Sequence, residues 1–449
     1  MILDPSLWGT YAGTFTDWEG EGVTEPYYKT PDGKVTLYAG DCREAMAEMA
    51  ENSVDAIVTD PPYGLEFMGK EWDKLLVRER DAAYPSCRHA HGPNAYLAGM
   101  KAQEWHYTWA VAALRVLKPG GHALVFGGTR TFHRLTCALE DAGFEIRDCL
   151  SWLYGSGFPK SLDVSKAIDK AAGAEREVVG KRTDGRYAHG FSDAAKKALG
   201  VAVAAEDESG FTGEMGQITT PATDAARQWD GWGTALKPAW EPIILARKPL
   251  SGTVAANVQE WGTGGINIDG CRITAGDGYA ENAVTQGINT AQTSYEPRRE
   301  RRTFEPAPAG RWPANLLLDE EAAAMLDAQS GEGVSRVGQP RHGASGEGWG
   351  LTHTGAEYGD SGGASRFFYC AKASSAERNG SKHPTVKPLD LMRYLCRLVT
   401  PPNGLILDPF AGSGTTLEAA HLEGFRCVGI EMSEEYCADV ERKLRKYLL

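Results

Sequence analysis

The run Gly404-Leu405-Ile406-Leu407-Asp408-Pro409-Phe410-Ala411-Gly412-Ser413-Gly414-Thr415-Thr416 reads as a short buried strand, a glycine-rich loop and the opening of a helix. Gly404 to Leu407 is an apolar run of strand length, Pro409 removes the donor that would extend the ladder, and the glycines permit a tight turn. The helix is expected over Thr415 to Glu423, and Arg426 to Ile430 is the next strand, ending in Glu431. Glu431 follows Gly412 by 19 residues, near the roughly 20-residue spacing of an acid that holds a ribose diol. Strand, tight turn, helix and acid together form a cradle for a nucleoside-containing cofactor. The loop has neither the Lys of a phosphate-binding P-loop nor the third Gly of a dinucleotide fingerprint, which disfavours a triphosphate or NAD.

Moving outward, a second strand end carries chemistry of its own. Val54 to Thr59 is an apolar run that reads as a buried parallel strand, and Asp60-Pro61-Pro62-Tyr63 stops it. In an open α/β sheet the carboxyl ends of the strands are where ligands bind. Asp60 therefore offers an acceptor carboxylate there, Pro61 and Pro62 a rigid backbone, and Tyr63 an aromatic face. The set suits a planar base with an exocyclic amine. The amine's lone pair is delocalised into the ring, and acceptors on both N–H bonds, Asp60 and the Pro61 carbonyl, draw it towards tetrahedral geometry. Tyr63 can stack on a base taken out of its helix. Read blandly, the same tetrapeptide is a strand-ending turn with an N-cap Asp.

With both motifs in place, the chain resembles the β-group DNA amino-methyltransferases, which use S-adenosylmethionine, in particular the phage and prophage versions. The order of target-amine motif, recognition region and cofactor motif is the same. The resemblance covers about Lys34 to Pro249, with an interruption, and Ser365 to the C-terminus. It implies a doubly wound, mostly parallel, Rossmann-like α/β sheet of seven strands with one antiparallel at the edge. The sheet would be circularly permuted, so that the strands bearing Asp41 and Asp60 precede those bearing Asp408 and Glu431. Asp60, Pro61, Pro62 and Tyr63 would be catalytic. The cofactor would be held by Asp41, Cys42, Asp60, Lys387, Asp408, Pro409, Phe410, Gly412, Ser413, Gly414, Thr415, Thr416, Glu431 and Met432. Gly40-Asp41-Cys42, after the strand Val35 to Ala39, looks like the segment that reads the cofactor's adenine ring. Asp41 is also a natural N-cap for a helix over Arg43 to Met49, and the two roles can coexist. His383-Pro384-Thr385-Val386-Lys387-Pro388 is similar to the motif that opens the helix before the cofactor loop and helps hold the methionine end. Asp before Pro-Pro-Tyr favours the N6 amine of adenine, and cytosine-N4 is the alternative. RNA or protein-amide methylation on the same core, or a non-catalytic DNA-binding regulator with the same fold, are further readings; the intact motifs speak against the last. No metal is required.

Composition bounds the class. The chain has 449 residues and a formal net charge of −13, enough length for one large α/β domain and an appended one. No apolar run approaches membrane length, and Met1-Ile2-Leu3-Asp4-Pro5 has no signal-peptide pattern, so a cytoplasmic enzyme is expected, in a bacterium or a phage-infected host. The nine cysteines include no C-x-x-C pair and read as reduced thiols. His421-x-Glu423 reads as solvated helix surface. The acid is concentrated at the N-terminus: residues 1–60 hold 3 Lys and Arg against 12 Asp and Glu, whereas residues 160–203 hold 9 against 6. Double-stranded DNA needs only a local positive groove. Lys160, Lys166, Lys170, Lys181, Arg182 and the run Arg298-Arg299-Glu300-Arg301-Arg302 are candidates for phosphates.

The organisation expected is an acidic segment over 1–33 and a target-amine half of the catalytic domain over 34–158. An insertion at the active-site rim over 159–237 follows, then a catalytic strand within 238–249, a target-recognition region over 250–364 and the cofactor half over 365–449. Ala102 to Leu117 reads as a helix ending at Lys118-Pro119-Gly120-Gly121, with strands over His122 to Gly127, Phe144 to Tyr154 and Trp240 to Arg247. Phe158, in the loop resembling the one beside the flipped base, or Trp152 could supply a second stacking face; core packing is the simpler role for Trp152. A homodimer and a cognate restriction endonuclease are partners compatible with the resemblance. Recognition regions read base edges and share no signature, so the target sequence is not written here.

Overall fold

The computed structural model describes residues 25–63, 93–155, 157, 161–181, 217–273, 310–334, 360–371 and 386–447. They fall into two compact units, Met1–Gly155 with Trp240–Leu449, and Ser156–Ala239.

The strands are β1 (Tyr28–Lys29), β2 (Val35–Ala39), β3 (Val54–Thr59), β4 (Leu117–Phe126), β5 (Glu145–Leu153), β6 (Val178–Lys181), β7 (Gln217–Thr219), β8 (Trp240–Arg247), β9 (Leu316–Asp319), β10 (Gly333–Val334), β11 (Ser361–Gly362), β12 (Tyr369–Ala371), β13 (Leu405–Asp408) and β14 (Arg426–Glu431). The helices are α1 (Cys42–Glu48), α2 (Pro93–Val116), α3 (Phe132–Asp141), α4 (Val164–Ala171), α5 (Asp224–Gln228), α6 (Val254–Trp261), α7 (Glu320–Ser330), α8 (Leu389–Val399), α9 (Thr415–Leu422) and α10 (Glu434–Arg445).

The first unit is built on a ten-stranded sheet in the order β1-β2-β14-β13-β3-β4-β8-β5-β9-β12. From β2 to β4 all neighbours are parallel. Such strands are covered on both faces, which explains their near-continuous apolar runs. Side chains alternate between two cores: Ala56, Val58, Leu124 and Ile406 join α8, α9 and α10 on one face. Ile57, Ala123, Val125 and Leu407 join α1, α2 and α3 on the other. Late strands β13 and β14 lie between early strands β2 and β3, so the two ends of the chain complete one sheet.

Three details depart from the sequence reading. The reversed strand is not at the edge: β8 is antiparallel to both β4 and β5 and sits between them. The crossover through α3 leaves a one-strand gap between β4 and β5, which run the same way, and β8 fills it. The sheet also exceeds seven strands, because β1 adds an antiparallel edge and β9 and β12 continue parallel beyond β5. Finally, Lys118 to Gly121 do not form a helix-to-strand loop. They belong to β4, whose pairing with β3 shifts register between Val54 and Ala56. Asp55 anchors that region, accepting from Lys118 Nζ at 2.6 Å and from the Leu405 amide at 2.7 Å.

The second unit contains α4, α5 and the antiparallel pair β6 and β7. Its buried Asp169 accepts from Arg176, from the Ala222 and Thr223 amides and from the Thr223 hydroxyl, tying α4 to the start of α5.

Candidate active site

The parallel strands β2, β14, β13 and β3 bring their carboxyl ends to one edge. Ala39 pairs with Glu431, Asp408 with Gly429, and Leu407 with Ile57. Asp41, Glu431, the loop after Asp408 and Asp60 therefore line that edge in sequence-scrambled order.

In the loop, Gly412 and Gly414 adopt φ of +50° and +76°, the left-handed region that favours glycine. A Cβ on Gly414 would meet Val440 Cγ2 of α10 at 2.8 Å, so this glycine lets the loop pack on a helix. The Gly412 amide donates to Glu431 Oε2 at 2.7 Å, and the Ser433 amide donates to Oε1 at 2.9 Å. Burial pushes the Glu431 carboxyl up from its ordinary range, against these amide bonds. Each oxygen keeps a lone pair for a ribose hydroxyl, so the pair of contacts fixes the acid without exhausting it. Met432 beside it is exposed, an apolar surface for a base.

Asp408 faces inward. It is buried beneath the loop, where Oδ1 accepts from Thr59 Oγ1 at 2.6 Å and from the Phe410 amide at 3.1 Å. Burial raises its carboxyl to about 6, against the hydrogen bonds from Thr59 and Thr416. Thr415 and Thr416 are likewise buried, and Ser413 Oγ lies 3.3 Å from Thr415 Oγ1. Phe410 packs edge-on to Trp109, with ring centroids 5.3 Å apart. Asp41 caps α1 through the Arg43 amide and pairs with the Arg43 guanidinium at 2.6 Å. Cys42 is buried, its thiol pushed up by burial.

Asp60 sits at the centre of a separate network. Its Oδ1 accepts from the Tyr63 hydroxyl at 2.7 Å, and its Oδ2 lies 2.8 Å from Lys387 Nζ. Lys387 is also 3.0 Å from Glu241 Oε2 and 3.3 Å from the Tyr63 hydroxyl. Its ammonium stands 4.7 Å from the Phe126 ring centroid. Burial opposes the charge on Lys387, but Asp60 and Glu241 outweigh it and its pKa is raised. Burial, then Asp60 and Glu241, push the Tyr63 hydroxyl well up. Burial raises Tyr154 nearby to about 12. The Tyr63 ring lies against Gly128, where a Cβ would be 3.1 Å away. Pro61 is buried.

The structure thus brings Asp60, Tyr63 and Lys387 together, and lines Asp41, Glu431 and the glycine loop along the same edge. Lys166 and Lys170 are exposed on α4 of the second unit. Trp152 is core. The reading of His421 and Glu423 as solvated surface is corrected: Glu423 holds Arg393 and Arg397 at 2.8 Å. Phe158, Lys160, Arg182, Arg298, Arg299, Arg301, Arg302 and His383 to Thr385 lie outside the described residues, as does the side chain of Lys181. Sequence reasoning missed Glu241, Phe126 and Thr59. Glu241 was masked as the first acid of an apolar strand, and only the reversal of β8 turns its amino end towards the site. Among the described residues no helix is long and apolar enough to cross a membrane.

A family model described as DNA methylase, for the N6 and N4 methyltransferases, matches residues 54–442. The type II methyltransferase M.HindIII of Haemophilus influenzae is 22% identical over 411 residues, 88% of this chain and 90% of that protein. The type II methyltransferase M.BamHI of Bacillus amyloliquefaciens is 32% identical over 102 residues, 23% of this chain and 19% of that protein. Among solved structures, the PvuII DNA methyltransferase (cytosine-N4-specific) aligns at a TM-score of 0.41 and 15% identity, over 93% of this chain and 88% of that one. The M1.HpyAVI–SAM complex aligns at a TM-score of 0.36 and 16% identity, over 91% of this chain and 98% of that one.

Proposed function

This chain belongs to the N6/N4 DNA methylase family, and we propose that it methylates the exocyclic N6 amine of adenine in double-stranded DNA, in the cytoplasm, with S-adenosylmethionine as donor. The observation that carries the reading is Asp60, placed at the carboxyl end of β3 one strand away from the glycine loop and paired with a buried lysine.

When bound, S-adenosylmethionine supplies an electrophilic methyl group on a sulfonium. The chain's residues would hold it through the loop from Asp408 to Thr416, through Glu431 at the ribose and through Asp41 near the adenine, with Met432 as an apolar surface. Lys387 would stand near the methionine end. Asp60 and the Pro61 carbonyl accept from the two N–H bonds of the target amine and draw its lone pair out of the ring. Tyr63 offers a stacking face to a base that has left the helix. After transfer the nitrogen is cationic and acidic and loses its proton, which the Asp60 carboxylate, already an acceptor for the amine, can take. Positioning and electrostatics carry such a reaction. Asp, rather than Ser, before Pro61 supports adenine over cytosine.

Digesting DNA to nucleosides after incubation with labelled cofactor tests this. Label in N6-methyldeoxyadenosine is expected. Label in N4-methylcytosine would overturn the choice of base, and unlabelled DNA would overturn the activity. Within the same reading, sedimentation at twice the 48.5 kDa chain mass would mark a homodimer. A nuclease blocked by the methylated product would be the cognate restriction enzyme.

A further inference from the structure

The methyl-transfer reading above leaves Glu241 without a task, although it lies in the network. Glu241 is the second residue of β8, opposite Trp152 on β5, and its Oε2 is 3.0 Å from Lys387 Nζ. Lys387 is buried and shared with Asp60 Oδ2 at 2.8 Å, while Asp60 Oδ1 holds the Tyr63 hydroxyl. Both oxygens of Asp60 are therefore engaged before any base arrives.

That arrangement sets a competition. A target amine is a neutral donor and the lysine ammonium a charged one, so the ammonium is the stronger claimant on Asp60. Each Asp60 oxygen keeps a lone pair, but the carboxylate is aimed at the ammonium. To turn towards the amine it loosens its hold on Lys387, and a buried ammonium left without a counter-ion is unfavourable. A second carboxylate already in contact removes that difficulty. Two carboxylates and one ammonium also leave one formal negative charge in the site, suited to a cationic donor and a cationic product. We propose that Glu241 is a positioning residue that takes over the Lys387 ammonium and so frees Asp60 to accept from the target amine. The inference rests on the methyltransferase reading.

The test compares the full-length wild type with Glu241→Gln and Glu241→Asp, both cofactor and DNA saturating. Single-turnover methyl transfer, cofactor affinity by calorimetry, unfolding midpoint and base extrusion by 2-aminopurine fluorescence are read in parallel. Glu241→Gln is expected to slow methyl transfer by about ten- to a hundredfold, with cofactor affinity, extrusion and midpoint nearly unchanged. Glu241→Asp, which keeps the charge, should recover part of the rate. A Glu241→Gln rate within about threefold of wild type would overturn the inference. So would losses of cofactor affinity or midpoint that account for the slower rate, or a Glu241→Asp no better than Glu241→Gln, because each is what a merely structural role gives. A wild type that methylates no DNA would instead overturn the function itself, and this inference with it.

Discussion

At the residue scale, the acids along the strand ends divide by environment. Asp60 touches a cation and a hydroxyl at the site, whereas Asp408 is buried and serves the loop from below. Asp60→Ala should lower turnover by on the order of 10²- to 10³-fold, as loss of one preorganised polar group at a reacting centre does. Lys387 keeps Glu241 as a partner, so folding and cofactor affinity should persist; label incorporation set against calorimetry checks this. Asp408 predicts a pH effect of definite sign. Its folded pKa, raised by burial to about 6 from 3.8, means that the folded state holds the proton more tightly. The stability from this group is complete below about pH 3.8 and is lost as pH rises through about 6, a fall of about 3 kcal/mol. Asp408→Asn cannot ionise, so urea unfolding at stepped pH should show the variant gaining on wild type across that window. A constant difference between the two proteins would show that Asp408 does not titrate there.

At the element scale, the β13 loop is held from two sides, and its glycines serve different partners. Gly414 abuts Val440 on α10. Gly414→Ala should cost about 1–2 kcal/mol for a left-handed residue with a Cβ and about 1–3 kcal/mol for overpacking. Val440→Ala should recover part of the second cost, measured as unfolding midpoints of the single and double variants. Gly412 instead presents its amide to Glu431. Gly412→Val should abolish S-adenosylmethionine binding while the protein stays folded, and wild-type affinity by calorimetry would remove the loop from the cofactor site. These elements were readable beforehand: β3 and β8 have the bounds expected from the apolar runs, and β13, β14, α1 and α9 differ by a residue at their ends. Each is written in consecutive residues, where periodicity and Pro or Gly punctuation act locally.

At the scale of the whole molecule, the second unit enters between strands that pair directly, Leu153 with Trp240. Replacing residues 156–239 by Asn-Gly would leave a short hairpin connection between these partners. The shortened chain should fold and still bind S-adenosylmethionine, gaining about 2.7 kcal/mol of stability at a hundred times its Kd. A thermal melt with and without ligand reads this, and a variant that aggregates or shows no ligand shift would mean the first unit needs the second.

The sequence by itself determined the strand, loop and helix around Gly412, the acid at the end of β14 and the Asp60 motif at the end of β3, because these lie within short continuous stretches. Only the tertiary structure decided that β13 and β14 enter between β2 and β3, that the reversed strand is internal, and that Glu241 joins Lys387 and Asp60. Those outcomes depend on which strands pair and in which direction. Pairing over hundreds of residues is chosen by the burial of both sheet faces together and not by any local pattern. The buried ion network follows from it: three charged residues from separate parts of the chain become neighbours only when β8 runs against the strands beside it.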